Sequence, residues 1–232
     1  MTRTSTRTRI KICGLTREED VDSAVAAGVD AVGFVRYAKS PRHVSAKRAA
    51  ELIRRLPPFV SSVLLYVNED IESIKADCLI ASPSVLQFHG DESAAECKSI
   101  AEACARPWLR AARIPLADAT RFDLLKFVQD FHTAQAILLD AEVEGYGGGG
   151  KAFQWSLLPP NVDAHLVLSG GLTPANVSAG VRALRGRGFS LGVDVSSGVE
   201  ADGPDGKPLK GIKDADKIRQ FVAAVRAVDS GA

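Results

Sequence analysis

The stretch Leu191-Gly192-Val193-Asp194-Val195 is the last of eight short apolar runs in a chain of 232 residues. The runs lack the strict alternation of a half-exposed strand, as expected for strands that are buried on both faces. Amphipathic segments separate them, and strands that alternate with helices indicate parallel βαβ units. The eight predicted strands are residues 9–12, 31–35, 62–67, 85–88, 108–112, 136–139, 166–169 and 191–195.

Eight such units favour a single-domain α/β fold, the (β/α)₈ or TIM barrel, because the eighth strand can then pair with the first. A doubly wound open sheet is the alternative, and two small domains joined by a linker would also fit the length. No internal boundary is evident, so we expect residues 1–8 to be a flexible tail and residues 9–232 to be one barrel. The predicted helices are residues 18–27, 45–56, 71–77, 93–104, 174–184 and 214–228, and residues 202–210 are expected to form a surface loop.

The composition is that of a globular protein with balanced charge: 46% of the residues are hydrophobic, and 29 Lys and Arg stand against 28 Asp and Glu. A surface for nucleic acid or anionic membranes needs a basic excess, so neither partner is expected. No apolar run has the length of a membrane span. The four cysteines form no Cys-x-x-Cys pair, and residues 1–9 contain no apolar signal segment. We therefore expect a cytoplasmic, reducing environment.

Small residues follow the last two predicted strands, at the barrel face where active sites of this fold lie. They are Gly170, Gly171, Ser196, Ser197 and Gly198. Backbone N–H groups at glycines can hold a phosphate together with serine hydroxyls, and a helix that opens at Thr173-Pro174 would direct its positive end at the anion. Tight turns without a ligand are the alternative. Two such loops at adjacent strands favour a phosphate site.

Cys13 and Asp140 end the first and the sixth predicted strands. A thiolate at that position can act as a base, and a carboxyl can act as an acid. Because strands one and six lie on opposing sides of an eight-stranded ring, the two groups can flank a small ligand, as in an acid–base isomerase. The alternatives are a structural cysteine and a helix cap. Cys78, Cys97 and Cys104 lie on predicted helices and are expected to be structural.

Three further features are candidates for ligand contacts. Arg42 can bind a carboxylate through two hydrogen bonds, with an ordinary surface position as the alternative. His89 is either a second acid–base group or a wall residue of the site. The glycine-rich segment 145–151 after the sixth strand is expected to be a mobile lid. The four histidines show no metal-ligand spacing.

A series of short motifs spans the chain from about residue 9 to about residue 226. Among them are Lys11-Ile12-Cys13-Gly14-Leu15-Thr16, Ser40-Pro41-Arg42-His43-Val44, Gln87-Phe88-His89-Gly90-Asp91, Leu138-Leu139-Asp140, Ser169-Gly170-Gly171-Leu172 and Asp194-Val195-Ser196-Ser197-Gly198-Val199-Glu200. In their order and spacing they resemble the phosphoribosylanthranilate isomerase family of tryptophan biosynthesis. The resemblance implies an Amadori rearrangement of N-(5-phospho-β-D-ribosyl)anthranilate to 1-(2-carboxyphenylamino)-1-deoxyribulose 5-phosphate.

The resemblance also implies a role for each candidate residue. Asp140 would protonate the ribose ring oxygen, and Cys13 would remove the proton on C2. Arg42 would hold the anthranilate carboxylate, Asp194 would contact the substrate near the anthranilate, and the loops after strands seven and eight would hold the phosphate. No cofactor and no metal would be needed. One departure from the family pattern is Gly149, where threonine is usual, and it concerns the rigidity of the loop.

Two other functions are compatible with a phosphate-binding barrel. The histidine-pathway isomerase performs the same rearrangement on a related ribotide, but that family would be expected to carry an aspartate where Cys13 stands. A barrel that only binds phosphorylated sugars would have no use for both Cys13 and Asp140. We expect a monomer or a homodimer that acts on a small phosphorylated molecule.

Overall fold

Eight parallel strands form a closed barrel, in which each strand pairs with the next and the last pairs with the first. The computed structural model describes residues 7–116, 122–141 and 154–231. The predicted single-domain (β/α)₈ fold is confirmed. The barrel strands are β1 (Arg9–Cys13), β2 (Ala31–Val35), β3 (Ser61–Tyr66), β4 (Val85–Phe88), β5 (Trp108–Ile114), β6 (Ala136–Ala141), β7 (His165–Leu168) and β8 (Ser190–Val195).

Helices cover the outside of the barrel, and several begin at side-chain caps that the sequence contains. Ser93 and Glu96 form a capping box at the start of one helix, and the Asp70 carboxylate accepts the amide of Ser73 at the start of another. The helices are α1 (Glu18–Ala26), α2 (Ala46–Ile53), α3 (Ile71–Ala81), α4 (Ala94–Cys104), α5 (Leu124–Asp130), α6 (Val177–Leu184) and α7 (Ala215–Asp229).

Three predicted helix boundaries were wrong by three residues or more, and one of them is the end of the helix expected over residues 71–77, which continues to Ala81. The helix expected to open at Thr173-Pro174 begins at Val177, because the Asn176 side chain accepts the amide of Thr173 and donates to the carbonyl of Gly171. These two bonds hold residues 173–176 as a turn. The helix expected to reach residue 56 ends at Ile53, and a turn over residues 54–55 follows it.

The stretch 202–210 was predicted to be a surface loop; most of it is exposed, as expected, but both of its ends are strands. A two-stranded antiparallel sheet forms there from β9 (Glu200–Asp202) and β10 (Pro208–Lys213). Glu200 and Lys213 are register partners in this hairpin, and both side chains are buried. The hairpin thereby brings two charged residues beneath the loop that follows β8.

The apolar core lies between the strands and the helices, where strand residues such as Ile12, Phe34 and Leu64 point outward and pack against helix residues. A second, smaller cluster lies inside the barrel near the carboxyl ends of the strands. It contains Cys13, Val35, Leu65 and Val67. Because side chains alternate along a strand, Cys13 points inward while its neighbour Ile12 points outward.

The first described residues are tied to the last helix. Thr8 is buried, and its amide and hydroxyl donate to the Asp229 carboxylate at 2.9 and 2.7 Å. The fixed part of the chain thus includes Thr8, which we had placed in the tail. The rest of the predicted tail up to residue 6, and the predicted lid 145–151 with Gly149, lie outside the described residues. Within those that are described, no helix is long and apolar enough to cross a membrane.

Candidate active site

A cavity of about 130 Å³ opens at the carboxyl ends of the barrel strands. Most residues predicted from the sequence line it, including members from β1, β6, β8 and the loops that follow β2, β7 and β8. The predicted lining residues are Cys13, Arg42, Asp140, Gly170, Gly171, Asp194, Ser196 and Ser197, and His89 lines it as well. The structure therefore brings together side chains that are up to 184 positions apart in the sequence (Cys13 to Ser197).

Cys13 ends β1 beside a charged pair. Lys11 lies two residues earlier on the same inner face, and its Nζ is 3.0 Å from Oδ1 of Asp194 on β8. Burial raises the pKa of the Cys13 thiol above its ordinary value, and the positive charge of Lys11 opposes this rise. Burial also lowers the pKa of Lys11, but Asp194 and Cys13 together outweigh it, so that pKa is raised.

Asp140 is buried at the end of β6, and both of its carboxyl oxygens have partners. The amide of Ala141 donates to Oδ1 at 2.9 Å, and His89 Nε2 lies at 2.8 Å from Oδ2. The other ring nitrogen of His89 is 3.1 Å from the Gln87 amide nitrogen. His89 is therefore a wall residue of the cavity and also a direct partner of the predicted acid.

A buried ion pair braces the loop that carries His89. Arg110 Nη1 on β5 lies 3.0 Å from Glu92 Oε2, and its Nη2 donates to the carbonyl of Gly90 at 3.0 Å. The amide of Gly90 donates to the same Glu92 oxygen at 2.9 Å. Because the amide and the carbonyl of Gly90 are both bonded to this pair, the backbone next to His89 is fixed.

Arg42 reaches the cavity, but one edge of its guanidinium is already used. Nε and Nη2 donate to the two oxygens of the buried Glu200 at 2.6 and 2.8 Å. The opposite edge, formed by Nη1 and the second hydrogen of Nη2, is the one that can meet a ligand carboxylate. The predicted role of Arg42 in carboxylate binding thus stays a prediction, with Glu200 as the residue that orients it.

Lys213 is a third charged residue in contact with Glu200, the partner of Arg42. Its Nζ contacts Oε1 of Glu200 at 3.3 Å and donates to the carbonyl of Ser196 at 2.9 Å. Burial lowers the pKa of Lys213 to about 8, although Glu200 acts in the opposite direction. Burial alone would raise the pKa of Glu200, but the bond from Arg42 and the charge of Lys213 hold it below its ordinary value. The sequence analysis assigned no role to either residue: Glu200 is only the last residue of a quoted motif, and Lys213 lies between the predicted surface loop and the last predicted helix.

The glycines after β7 and β8 are required by the backbone. Gly170 and Gly171 have φ angles of +73° and +65°, a region that side chains disfavour. A Cβ on Gly170 would lie 2.8 Å from Oδ1 of Asp140, and one on Gly198 would lie 1.9 Å from the carbonyl oxygen of Leu172. The two loops therefore touch at Gly198. Gly198 itself lies outside the set of cavity-lining residues.

In the described parts of the chain, no group of three or more His, Cys, Asp or Glu side chains is arranged to hold a metal ion. The arrangement offers instead a thiol, a carboxyl, an arginine and two close-packed glycine–serine loops around one small cavity. Such a set can move protons on an anionic ligand.

The chain matches known proteins along most of its length. A family model described as N-(5'phosphoribosyl)anthranilate (PRA) isomerase matches residues 10–224. The N-(5'-phosphoribosyl)anthranilate isomerase of Methylibium petroleiphilum is 58% identical over 224 residues, which are 97% of this chain and 96% of the relative.

Solved structures of similar proteins give the same result as the sequence comparisons. The phosphoribosyl anthranilate isomerase of Thermotoga maritima has a TM-score of 0.78 at 37% identity, covering 95% of this chain and 99% of that one. Mutually generated monomers of that dimeric enzyme give a TM-score of 0.74 at 33% identity with the same coverage. An isomerase in complex with reduced 1-(o-carboxyphenylamino)-1-deoxyribulose 5-phosphate gives 0.74 at 34% identity, also over 95% and 99%. This chain belongs to the N-(5'-phosphoribosyl)anthranilate isomerase family.

Proposed function

We propose that Cys13 and Asp140 are the proton-transfer groups with which this chain carries out the family's reaction. The chain isomerises N-(5'-phosphoribosyl)anthranilate, an aldose–ketose isomerisation in the biosynthesis of tryptophan. The observation that carries the assignment is that a thiol and a carboxyl from β1 and β6 face the same cavity. The reaction needs one group to give a proton and another to take one.

Asp140 acts first, as the acid. It protonates the ribose ring oxygen, the bond from that oxygen to C1 breaks, and the nitrogen lone pair forms the C1=N bond of a cationic Schiff base. Cys13 then removes the proton on C2, and the electron pair of the C2–H bond forms a C1=C2 double bond as the nitrogen regains its lone pair. The enolamine loses its enol proton and gains a proton at C1, which gives the ketone.

The remaining residues bind the two anionic ends of the substrate. Arg42 holds the anthranilate carboxylate through the guanidinium edge that Glu200 leaves open. Asp194 lies near the anthranilate side. The phosphate lies between the loops after β7 and β8, where backbone amides at glycines and the hydroxyls of two serines are available. These residues are Gly170, Gly171, Ser196, Ser197 and Gly198.

Turnover of the purified chain tests the assignment. The consumption of N-(5'-phosphoribosyl)anthranilate should be followed by fluorescence for the parent and for the variants Cys13→Ser and Asp140→Asn. Each variant should lose at least ~10²-fold in kcat, the usual contribution of a positioned acid or base. Both should still bind reduced 1-(o-carboxyphenylamino)-1-deoxyribulose 5-phosphate. Cys104→Ser makes the same chemical change at a cysteine on α4 that does not line the cavity, and it should keep full turnover. Near-parental turnover in either site variant would remove that residue from its role.

A homodimer is the assembly we propose, formed by the amino-terminal face of the barrel. Phe59 has a fully exposed side chain and a φ of +73°, an uncommon conformation for a bulky residue. It borders a second cavity of about 480 Å³, whose walls include Val63, Leu109 and Val193. A phenyl ring held outward beside an apolar recess fits a symmetric contact, in which each copy inserts its ring into the other.

The site of action is the cytoplasm, which is consistent with the four free thiols.

A further inference from the structure

We infer that Lys11 is a positioning residue for the base: its ammonium group, held by Asp194, stabilises the negative charge that Cys13 carries as a thiolate. This inference rests on the proposed role of Cys13. It adds a residue that the sequence analysis had quoted only as part of a motif.

The strand register places the three groups together. Lys11 and Cys13 are two residues apart on β1, so their side chains leave the same face of the strand. Lys11 is the register partner of Asp194 on the adjacent β8, and its Nζ is 3.0 Å from Asp194 Oδ1. The Lys11 ammonium also lies near the Cys13 thiol, and its charge lowers the pKa of that thiol. A single lysine is thus paired with a carboxylate and placed close to the thiol.

The neighbouring strand β2 leaves room for the side chains of Lys11 and Cys13. Gly33 on β2 is the register partner of Cys13. A Cβ at Gly33 would lie 2.7 Å from Cys13 Sγ and 3.0 Å from Lys11 Nζ, so any side chain there would displace one of them. The sulfur and the ammonium nitrogen both lie next to the position that a Cβ of residue 33 would take, and only glycine fits beside them.

Burial makes the charge of Lys11 effective. Lys11, Cys13 and Asp194 are all nearly inaccessible to water, where one charge acts on another more strongly than at a surface. A buried ammonium without a partner would be costly, and the Asp194 carboxylate removes that cost. The pair is neutral overall, but its positive end has the larger effect on the thiol.

Several charged groups face Cys13, and their effects differ in sign. Burial raises the thiol pKa, Lys11 and Lys213 lower it, and Asp194 raises it. Arg42, His89 and Asp140 line the same cavity. Lys11 has the largest effect among those that favour the thiolate. Without it, burial would act against the base with little opposition.

The test is the pH dependence of iodoacetamide alkylation at Cys13, measured by peptide mass spectrometry without substrate. Lys11→Met should move the midpoint of the alkylation rate upward by about one pH unit or more, as expected for the loss of a close opposite charge. Turnover should fall mainly in kcat. Alkylation of Cys104 serves as the control within the same sample and should be unchanged.

Lys11→Met leaves Asp194 buried without its partner, so the variant can fail to fold. The comparison of Asp194→Asn with the double variant Lys11→Met/Asp194→Asn avoids this problem, because the two proteins differ only at residue 11. The midpoint should again lie higher in the protein that lacks the lysine. Equal midpoints in this comparison would overturn the role of Lys11. That result would leave the role of Cys13 intact, since the turnover of Cys13→Ser tests it separately.

Discussion

His89 Nε2 lies 2.8 Å from Asp140 Oδ2, and the other carboxyl oxygen of Asp140 accepts the amide of Ala141 at 2.9 Å. The predicted acid is thus held by protein groups on both oxygens. A carboxyl that is fixed in this way loses little freedom when a ligand arrives, and such preorganisation is a main source of rate enhancement in enzymes. His89 in turn is placed by Gln87 and by the loop that Arg110 and Glu92 brace.

The first prediction concerns this contact. His89→Ala should lower kcat by up to about tenfold, because the loss of one hydrogen bond of about 0.5–1.5 kcal/mol corresponds to a change of that size. KM should change little, since His89 is not assigned to either anionic end of the substrate. Steady-state kinetics of the two proteins is the measurement.

His132→Ala is the matched control, because His132 is exposed and bonds only to the carbonyl of Gln129 among the described contacts. It should have parental kinetics. A His89→Ala protein with unchanged kcat would mean that the Ala141 amide suffices to orient Asp140. A change confined to KM would instead point to a direct contact between His89 and the substrate.

Much of the site could be predicted from the sequence because its residues stand at the ends of strands. Cys13 and Asp140 each close an apolar run, and the barrel closure alone brings their strand ends to one face. Glu200 and Lys213 could not be found in this way. They flank a stretch that is rich in Asp, Gly and Lys and looks exposed, and only the pairing of β9 with β10 buries them.

The sequence indicated His89 as a candidate residue of the site, but not its contact with Asp140. His89 belongs to a quoted motif, but β4 and β6 are separated by β5 in the barrel order. A contact between side chains from non-adjacent strands depends on the diameter of the barrel and on rotamers. Neither the barrel diameter nor the rotamers can be read from periodicity and spacing along the chain. The bond between Lys11 and Asp194 joins adjacent strands, but it depends on the register of β1 with β8, which the sequence alone does not give either.

The second prediction concerns the contact between the two loops at Gly198. Gly198→Ala would place a methyl carbon 1.9 Å from the carbonyl oxygen of Leu172, so the loops must move apart. The proposed phosphate site between them should widen, and KM should rise by about tenfold or more, which corresponds to ~1.4 kcal/mol of binding energy. Overpacking should also cost about 1–3 kcal/mol of stability.

Gly192→Ala on β8 is the control, because a Cβ there would meet its nearest atom at 3.5 Å, an ordinary contact. It should bind reduced 1-(o-carboxyphenylamino)-1-deoxyribulose 5-phosphate as the parent does. Competition by inorganic phosphate at about tens of millimolar should weaken in Gly198→Ala. Parental binding by Gly198→Ala would argue against a phosphate site between these loops.

The third prediction concerns stability at alkaline pH. Burial raises the pKa of Cys97 from its ordinary 9.0 to about 12. Above pH 9 the unfolded chain therefore releases this thiol proton while the folded chain keeps it. Stability from the protonated thiol is complete below pH 9 and is lost as the pH rises toward 12, by at most about 1.4 kcal/mol per pH unit.

Urea unfolding of the parent and of Cys97→Ala at several pH values between 8 and 10.5 measures this effect. The variant should be less stable at pH 8 because it leaves a small cavity in the core. Its free energy of unfolding should then fall less steeply with pH than that of the parent. Parallel curves would mean that the Cys97 thiol has the same pKa in both states.

The last prediction concerns Phe59 and the proposed homodimer. Its ring is fully exposed in a single chain, and the backbone at this residue adopts a conformation that costs energy for a bulky side chain. Phe59→Glu would place a charge where the ring enters the apolar recess of a second copy, so the dimer should dissociate into monomers. Sedimentation velocity over a range of concentrations measures the change. Leu125→Glu is the control: Leu125 is half exposed in the first turn of α5, and helices begin at the carboxyl face of the barrel, far from Phe59. It should leave the mass unchanged. The active site lies at that carboxyl face, so monomers of Phe59→Glu should keep parental turnover. A parent that sediments as a monomer, or a Phe59→Glu variant that remains dimeric, would rule out this interface.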